Sequence, residues 1–200
     1  MICSDVKVSN IVCTARVTTP VYLQLIVQKH PFCEYNRCKF AAVTLRLYNP
    51  SATCLIFASG KIVCTGSSSL HDTRAALLTG LKLIRECGYH EADLRDFHVE
   101  NLVASLSWPF GVCLEALHAC YPNETSYERG LFPGLIWRPY SENVGVFLVF
   151  ATGRCVLTGC TTHESLQASR NWFISRFNEA LSSNSFLRIR LGETSDVDFT

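Results

Sequence analysis

Cys54-Leu55-Ile56-Phe57-Ala58-Ser59-Gly60-Lys61-Ile62-Val63-Cys64-Thr65-Gly66 returns later in the chain as Phe147-Leu148-Val149-Phe150-Ala151-Thr152-Gly153-Arg154-Cys155-Val156-Leu157-Thr158-Gly159. Each copy reads as two apolar, β-branched strands joined by a tight Ser-Gly or Thr-Gly turn, the signature of a hairpin. Asn10 and Asn101, Phe40 and Phe132, and Phe57 and Phe150 recur at nearly the same offset. Two long copies that fill most of the chain mean a pseudo-two-fold molecule, because a many-unit solenoid repeats every 20–50 residues or so.

Outward from the hairpins, each half follows one programme. Val8 to Val17 and Phe97 to Leu106 are strand segments. Pro20 to Gln28, with Thr19 as N-cap and Pro20 in the first turn, and Leu114 to Cys120 are expected as short helices. Three strands follow in each half: Phe40–Leu47, Thr53–Ala58 and Lys61–Thr65, then Leu135–Pro139, Val144–Ala151 and Arg154–Thr158. A longer helix closes each half. Leu70 to Cys87 is stopped by Gly88, and the second helix starts at a capping box, Thr161-Thr162-His163-Glu164, with apolar residues at helical spacing to Leu181. This order predicts an α+β fold with about ten strands in one antiparallel sheet backed by helices. The expected divisions are a first repeat over 6–92, a second over 93–182 and a flexible, Ser-rich and then acidic tail over 183–200.

With 200 residues, 48% of them hydrophobic, the chain is able to bury a sizeable core. Lys+Arg 18 against Asp+Glu 17 leaves a net charge of +1, so bulk charge selects no partner and any basic site is local. No apolar run approaches the roughly 18–20 residues that cross a bilayer, and Met1-Ile2-Cys3-Ser4-Asp5 opens no signal peptide, so a soluble intracellular protein without a membrane role is expected. Eleven cysteines are an odd number, and Cys13, Cys54, Cys64 and Cys155 lie inside apolar strand patterns. They read as reduced, buried thiols and not as a disulfide scaffold.

The ordered series Asn10-Ile11-Val12, Glu34-Tyr35-Asn36, Lys39-Phe40-Ala41-Ala42-Val43, Leu55 to Gly66, Ser126-Tyr127-Glu128, Leu131-Phe132-Pro133-Gly134-Leu135-Ile136 and Leu148 to Gly159 resembles the core of the TATA-box-binding protein family, over about residues 6–182. The resemblance implies a saddle: two pseudo-symmetric repeats forming one curved ten-stranded antiparallel sheet, helices on the convex face and DNA minor groove on the concave one. That family is a standing example of base-step unstacking and of a kink of about 80°. Its wedge positions match Phe40 with Phe57 and Phe132 with Phe150. Its groove floor matches Asn10, Val12, Leu55, Val63 and Thr65, and again Asn101, Val103, Leu148, Val156 and Thr158. Amides there donate to adenine N3 and thymine O2, while an apolar floor offers the guanine amino group no acceptor. Lys39, Arg46, Lys61, Arg138 and Arg154 match positions beside passing phosphates.

The resemblance also implies factor IIB-type docking at Glu128 and Leu131, factor IIA-type docking at Glu34 and Tyr35, polymerase-associated assembly factors as further partners, and a nuclear location. Departures from the family pattern are local. Ser67-Ser68 and Cys160-Thr161 stand where a lysine is usual, Arg37-Cys38 and Arg129-Gly130 alter the two loops, and the first long helix carries only Arg74, Lys82 and Arg85 as bases. A thin positive surface keeps a second reading open, a scaffold of the same fold acting mainly through protein partners with weak or non-TATA DNA binding.

Enzyme chemistry finds no converging nucleophile, base or phosphate loop, and no cofactor is expected. His30 with Cys33 and Cys38, or Cys113 with His118 and Cys120, are loose Cys/His groupings without a CxxC pair, so no metal is expected either.

Overall fold

A strand with apolar residues at every second position has to bury one face and leaves the other to solvent. The computed structural model, which describes residues 5–141 and 143–189, obeys that rule most plainly in the strands of the duplicated hairpins. The elements are β1 (Lys7–Val17), α1 (Leu23–Lys29), β2 (Glu34–Asn36), β3 (Phe40–Tyr48), β4 (Ser51–Phe57), β5 (Lys61–Ser67), α2 (Leu70–Glu86), β6 (Leu94–Ser107), β7 (Gly111–Val112), α3 (Leu114–Cys120), β8 (Thr125–Ser126), β9 (Gly134–Trp137), β10 (Val146–Phe150), β11 (Arg154–Cys160) and α4 (His163–Ser183). A 3₁₀ turn (Ser185–Leu187) and β12 (Arg188–Ile189) follow. Ten strands form one antiparallel sheet in the order β2-β3-β4-β5-β1-β6-β11-β10-β9-β8, and β12 pairs with β7 in a second, two-stranded sheet.

The chain divides into two compact units, residues 8–102 and, among the described residues, 5–7 with 103–189. In the first, Ala52, Cys54 and Ile56 of β4 and Ile62 and Cys64 of β5 are buried beneath α2, whose Ala76, Leu77, Leu81 and Ile84 face them. Gly80 lies on the same helix face, where a Cβ would make ordinary contact with Ile62 Cδ1 at 3.8 Å. Cys13, Cys64 and Cys54 stand in one cross-strand row on the buried face. Burial and the neighbouring Cys64 thiol push Cys13 up to about 11, so it stays protonated at neutral pH and packs as a small apolar group. None of the ten cysteines among the described residues is in a disulfide.

The second unit has an aromatic core. Phe147 of β10 stacks on Phe173 of α4 with ring centroids 4.2 Å apart, and Trp137 meets the same ring edge-on at 5.5 Å. The Trp137 indole N–H donates to Glu124 Oε2 at 3.0 Å, and Arg176 bridges the other oxygen, Oε1, at 3.2 Å, so the polar atoms beside this core are paired.

Three local expectations change. The first short helix starts at Leu23, not Pro20, because the Val21 N–H is taken by Ala58 O at 2.9 Å and holds the preceding residues extended; Tyr22 is the N-cap and Thr19 is not. The capping box of α4 is Thr162 with Ser165, through Ser165 N to Thr162 Oγ1 at 3.1 Å and Thr162 N to Ser165 Oγ at 3.2 Å, because the helix begins one residue beyond the Thr161 start that would have made Glu164 the partner. The expected tail is not loose over its first residues. Leu187 is fully buried, its carbonyl accepts from Cys113 N at 3.0 Å, and Arg188 and Ile189 pair with Val112 and Gly111. The remainder of that tail, 190–200, lies outside the described residues.

Candidate nucleic-acid interface

Residues directly opposite one another on paired strands share a face, so the registers settle which side chains lie together. In the first unit Thr44, Leu55, Val63 and Thr14 form one row across β3, β4, β5 and β1, and Arg46, Thr53 and Thr65 form a second. These rows lie opposite the core: the floor candidates Leu55, Val63 and Thr65 alternate with fully buried Ile56, Ile62 and Cys64 and remain partly exposed. The second unit repeats the pattern. Ile136, Leu148 and Val156 form a row, Val146 opposes Thr158, and the intervening Phe147, Val149, Cys155 and Leu157 are buried. Asn10 and Val12 on β1, and Asn101 and Val103 on β6, are likewise half-buried; the two valines lie between core residues, and each asparagine follows an exposed residue and precedes a buried one.

The four candidate wedges are drawn together in pairs. Phe40 meets Phe57 edge to face with ring centroids 5.9 Å apart, and Phe132 meets Phe150 at the same 5.9 Å separation. Phe40 is 48% exposed, and the other three are partly exposed. Each pair sits where a strand runs into its hairpin turn, whose glycine N–H returns to the second phenylalanine's carbonyl: Gly60 N to Phe57 O and Gly153 N to Phe150 O, both 2.9 Å. These glycines have φ of +83° and +79°, and a Cβ on Gly60 would lie 2.7 Å from Thr19 O, so no other residue fits the turn without strain. Gly134, opposite Phe150, leaves the space that the second pair fills, since a Cβ there would lie 2.8 Å from Phe132 Cε1.

Asn10 is oriented by its own strand neighbours. Its Oδ1 accepts the Gly66 N–H at 2.7 Å and the Thr65 hydroxyl at 3.2 Å. Those two bonds assign the amide oxygen and leave both Nδ2 hydrogens unused by them, as donors on the solvent-facing side of the sheet.

Of the basic candidates, Lys39, Arg46, Lys61, Arg138 and Arg154 are all exposed. Arg46 is not independent of Glu34: its Nε lies 3.4 Å from Glu34 Oε1, which ties a phosphate candidate to a partner candidate. Arg16, absent from the sequence reading, lies opposite Lys61 and is exposed on the same face. Its parity with Asn10, Val12 and Thr14 was the signal that would have found it. In the second unit a cavity of 830 Å³ opens beside Phe150 and is lined by Lys7, Ser105, Ser107, Arg154 and Val156.

The candidate partner residues lie on loops and at an edge. Glu128 is exposed and its carbonyl accepts from Leu131 N at 2.9 Å and Phe132 N at 3.0 Å, a turn that leaves the Leu131 side chain 82% exposed. Glu34 is exposed and Tyr35 half-buried on the edge strand β2. Among the described residues no group of three or more His, Cys, Asp or Glu is arranged to hold a metal, and no helix is long and apolar enough to cross a membrane.

The family model described as "Transcription factor TFIID (or TATA-binding protein, TBP)" matches residues 5–87 and again 96–180. The chain belongs to the TATA-binding protein family. Among curated relatives it is 38% identical over 160 residues to the TATA-box-binding protein of Tetrahymena thermophila, covering 80% of this chain and 64% of that one. It is 39% identical to TATA-box-binding protein 2 of Entamoeba histolytica, covering 80% and 74%. The chain thus spans under two thirds of the Tetrahymena relative's length. Among solved structures, the TBP of Methanococcus jannaschii superposes with a TM-score of 0.72 at 25% identity, covering 90% of this chain and all of that one. Each of the family model's two matches contains one copy of the duplicated hairpin.

Proposed function

We propose that this TATA-binding protein family member is a general transcription initiation factor that binds double-stranded promoter DNA through the minor groove, bends it and nucleates assembly of a preinitiation complex in the nucleus. The observation that carries the reading is the two matched, solvent-facing phenylalanine pairs. Aromatic rings at a strand end with no core around them are costly in water and serve well where a flat apolar group has to replace base stacking. The Asn10 amide supports it, because its oxygen is taken by the protein and its N–H donors suit a groove that offers only acceptors at A·T pairs. Asn101, Val12 and Val103, with the Leu55, Val63, Leu148 and Val156 rows, form the rest of the groove floor, and Thr65 and Thr158 flank it. Lys39, Lys61, Arg138 and Arg154, with Arg16 and the Glu34-paired Arg46, meet phosphates.

Protein partners follow from the loops. Glu128 and the bare Leu131 side chain form a small charged and apolar knob for a factor IIB-type protein, and Glu34 with Tyr35 an edge for a factor IIA-type protein. A gel shift of the purified chain with an A·T-rich and a G·C-rich duplex tests the reading: retention of the first at lower protein concentration supports it, and retention of neither leaves the scaffold reading standing.

A further inference from the structure

The sheet face assigned to DNA carries an acid. In the unit of residues 8–102, Thr14 stands directly opposite Val63, in the row that contains Leu55, and its hydroxyl donates to Glu100 Oε1 at 2.6 Å. Glu100 is exposed, and Asp96, His98 and Glu100 line a 300 Å³ cavity with Thr14, Arg16 and Lys61, the last two being an opposed pair on the same face. The Thr14 hydrogen bond brings the Glu100 carboxylate to the face that carries Val63 and Leu55, and Asn101, the next residue of β6, alternates with buried Leu102 and Ala104.

We propose that Glu100 is a specificity-determining residue that makes the base step beside Asn101 favour a G·C pair, its carboxylate accepting the guanine amino group. This rests on the minor-groove reading above. The chemistry of the groove leaves few alternatives: A·T and T·A pairs present acceptors alone, and the guanine 2-amino group is the one donor there. A carboxylate is repelled by the acceptors and by the negative potential of a narrow A·T groove, and is the strongest acceptor the protein can offer to that donor. Thr14 holds one oxygen in place without neutralising it. Ser9, which precedes Asn10 in the first copy, carries no charge, so the preference is confined to one half of the site and gives an otherwise pseudo-symmetric protein a direction on DNA.

The test uses the full chain and a set of A·T-rich duplexes carrying one G·C pair, moved step by step, beside the same set with inosine·C, which lacks the 2-amino group. The wild-type protein is expected to bind G·C at least about fivefold more tightly than inosine·C at one step, the fold-change of a good base contact. Glu100→Ala abolishes that difference and tightens binding to the all-A·T duplex; Glu100→Gln, which keeps an acceptor without the charge, retains part of the difference and stands in if the alanine variant melts early. Equal binding of G·C and inosine·C at every step by a wild-type protein that does bind the A·T duplex overturns the role of Glu100 alone, as does a preference that survives in Glu100→Ala. Failure to bind any duplex overturns the minor-groove reading itself, and this inference with it.

Discussion

Under the proposed function, Asn10 serves fold and recognition through different atoms. Its oxygen accepts from Gly66 and Thr65, and its nitrogen is proposed to donate to DNA. Asn10→Asp keeps the acceptor and removes the donors, so the thermal melt is expected to hold while A·T-rich duplex affinity falls by about 1–3 kcal/mol, read by fluorescence anisotropy. A fall in melting temperature with unchanged affinity contradicts that division of labour. The outward facing of Leu55, Val63, Leu148 and Val156 was legible from the chain, because strict alternation separates them from their buried neighbours; their place on a groove floor comes from the family resemblance and remains a proposal. The facing of Glu100 was not legible. By simple alternation it shares parity with the core residue Leu102, and only its tertiary hydrogen bond from Thr14 shows the carboxylate on the outer face. The pairing of Arg46 with Glu34 was equally hidden, since it depends on the β2/β3 register and not on spacing along the chain.

The helices hold the sheet's buried face, and their caps set how firmly. Ser69 caps α2 by accepting from Asp72 N at 3.0 Å while its own hydroxyl donates to Asp72 Oδ2 at 2.7 Å. The Ser69 hydroxyl, with His71 beside it, holds the Asp72 carboxyl below its ordinary range. A carboxyl depressed in the folded state stabilises above its unfolded pKa, and that contribution is lost as pH falls through the folded value. Ser69→Ala removes the cap and is expected to cost about 1 kcal/mol at neutral pH by thermal or urea melts, typical of a lost serine cap. The gap to wild type narrows as the pH is lowered past about 4, where carboxyls protonate. A gap that widens in acid contradicts the assignment. At this scale the sequence was most readable where a glycine or a cap marks an end: Gly88, at φ +98°, closes α2 as expected. It was least readable where tertiary hydrogen bonds decide the boundary, as at Val21, or where two short segments distant in the chain pair, as β7 and β12 do.

For the whole molecule, the charge distribution separates two ways of holding DNA. The bases of α2 are engaged with the protein: Arg74 lies over the Phe97 ring at 5.4 Å, Lys82 is 4.0 Å from Glu86, and Arg85 donates to Ala92 O at 2.8 Å. The proposed phosphate contacts are Arg16, Lys39, Lys61, Arg138 and Arg154, with Arg46 already paired, so the slope of log K against log salt is expected near −4 to −5, from about −0.9 per phosphate. A much steeper slope in a salt titration places the α2 bases on DNA after all. With charge limited, affinity and bending are proposed to rest on the aromatic pairs, which is the central claim. Its most direct measurement is end-to-end FRET on a short A·T-rich duplex, comparing the wild-type chain with Phe132→Ala/Phe150→Ala. The wild type is expected to shorten the end-to-end distance, and the variant to lose most of that bend while its thermal melt stays cooperative; a folded variant that bends the duplex as the wild type does contradicts the account.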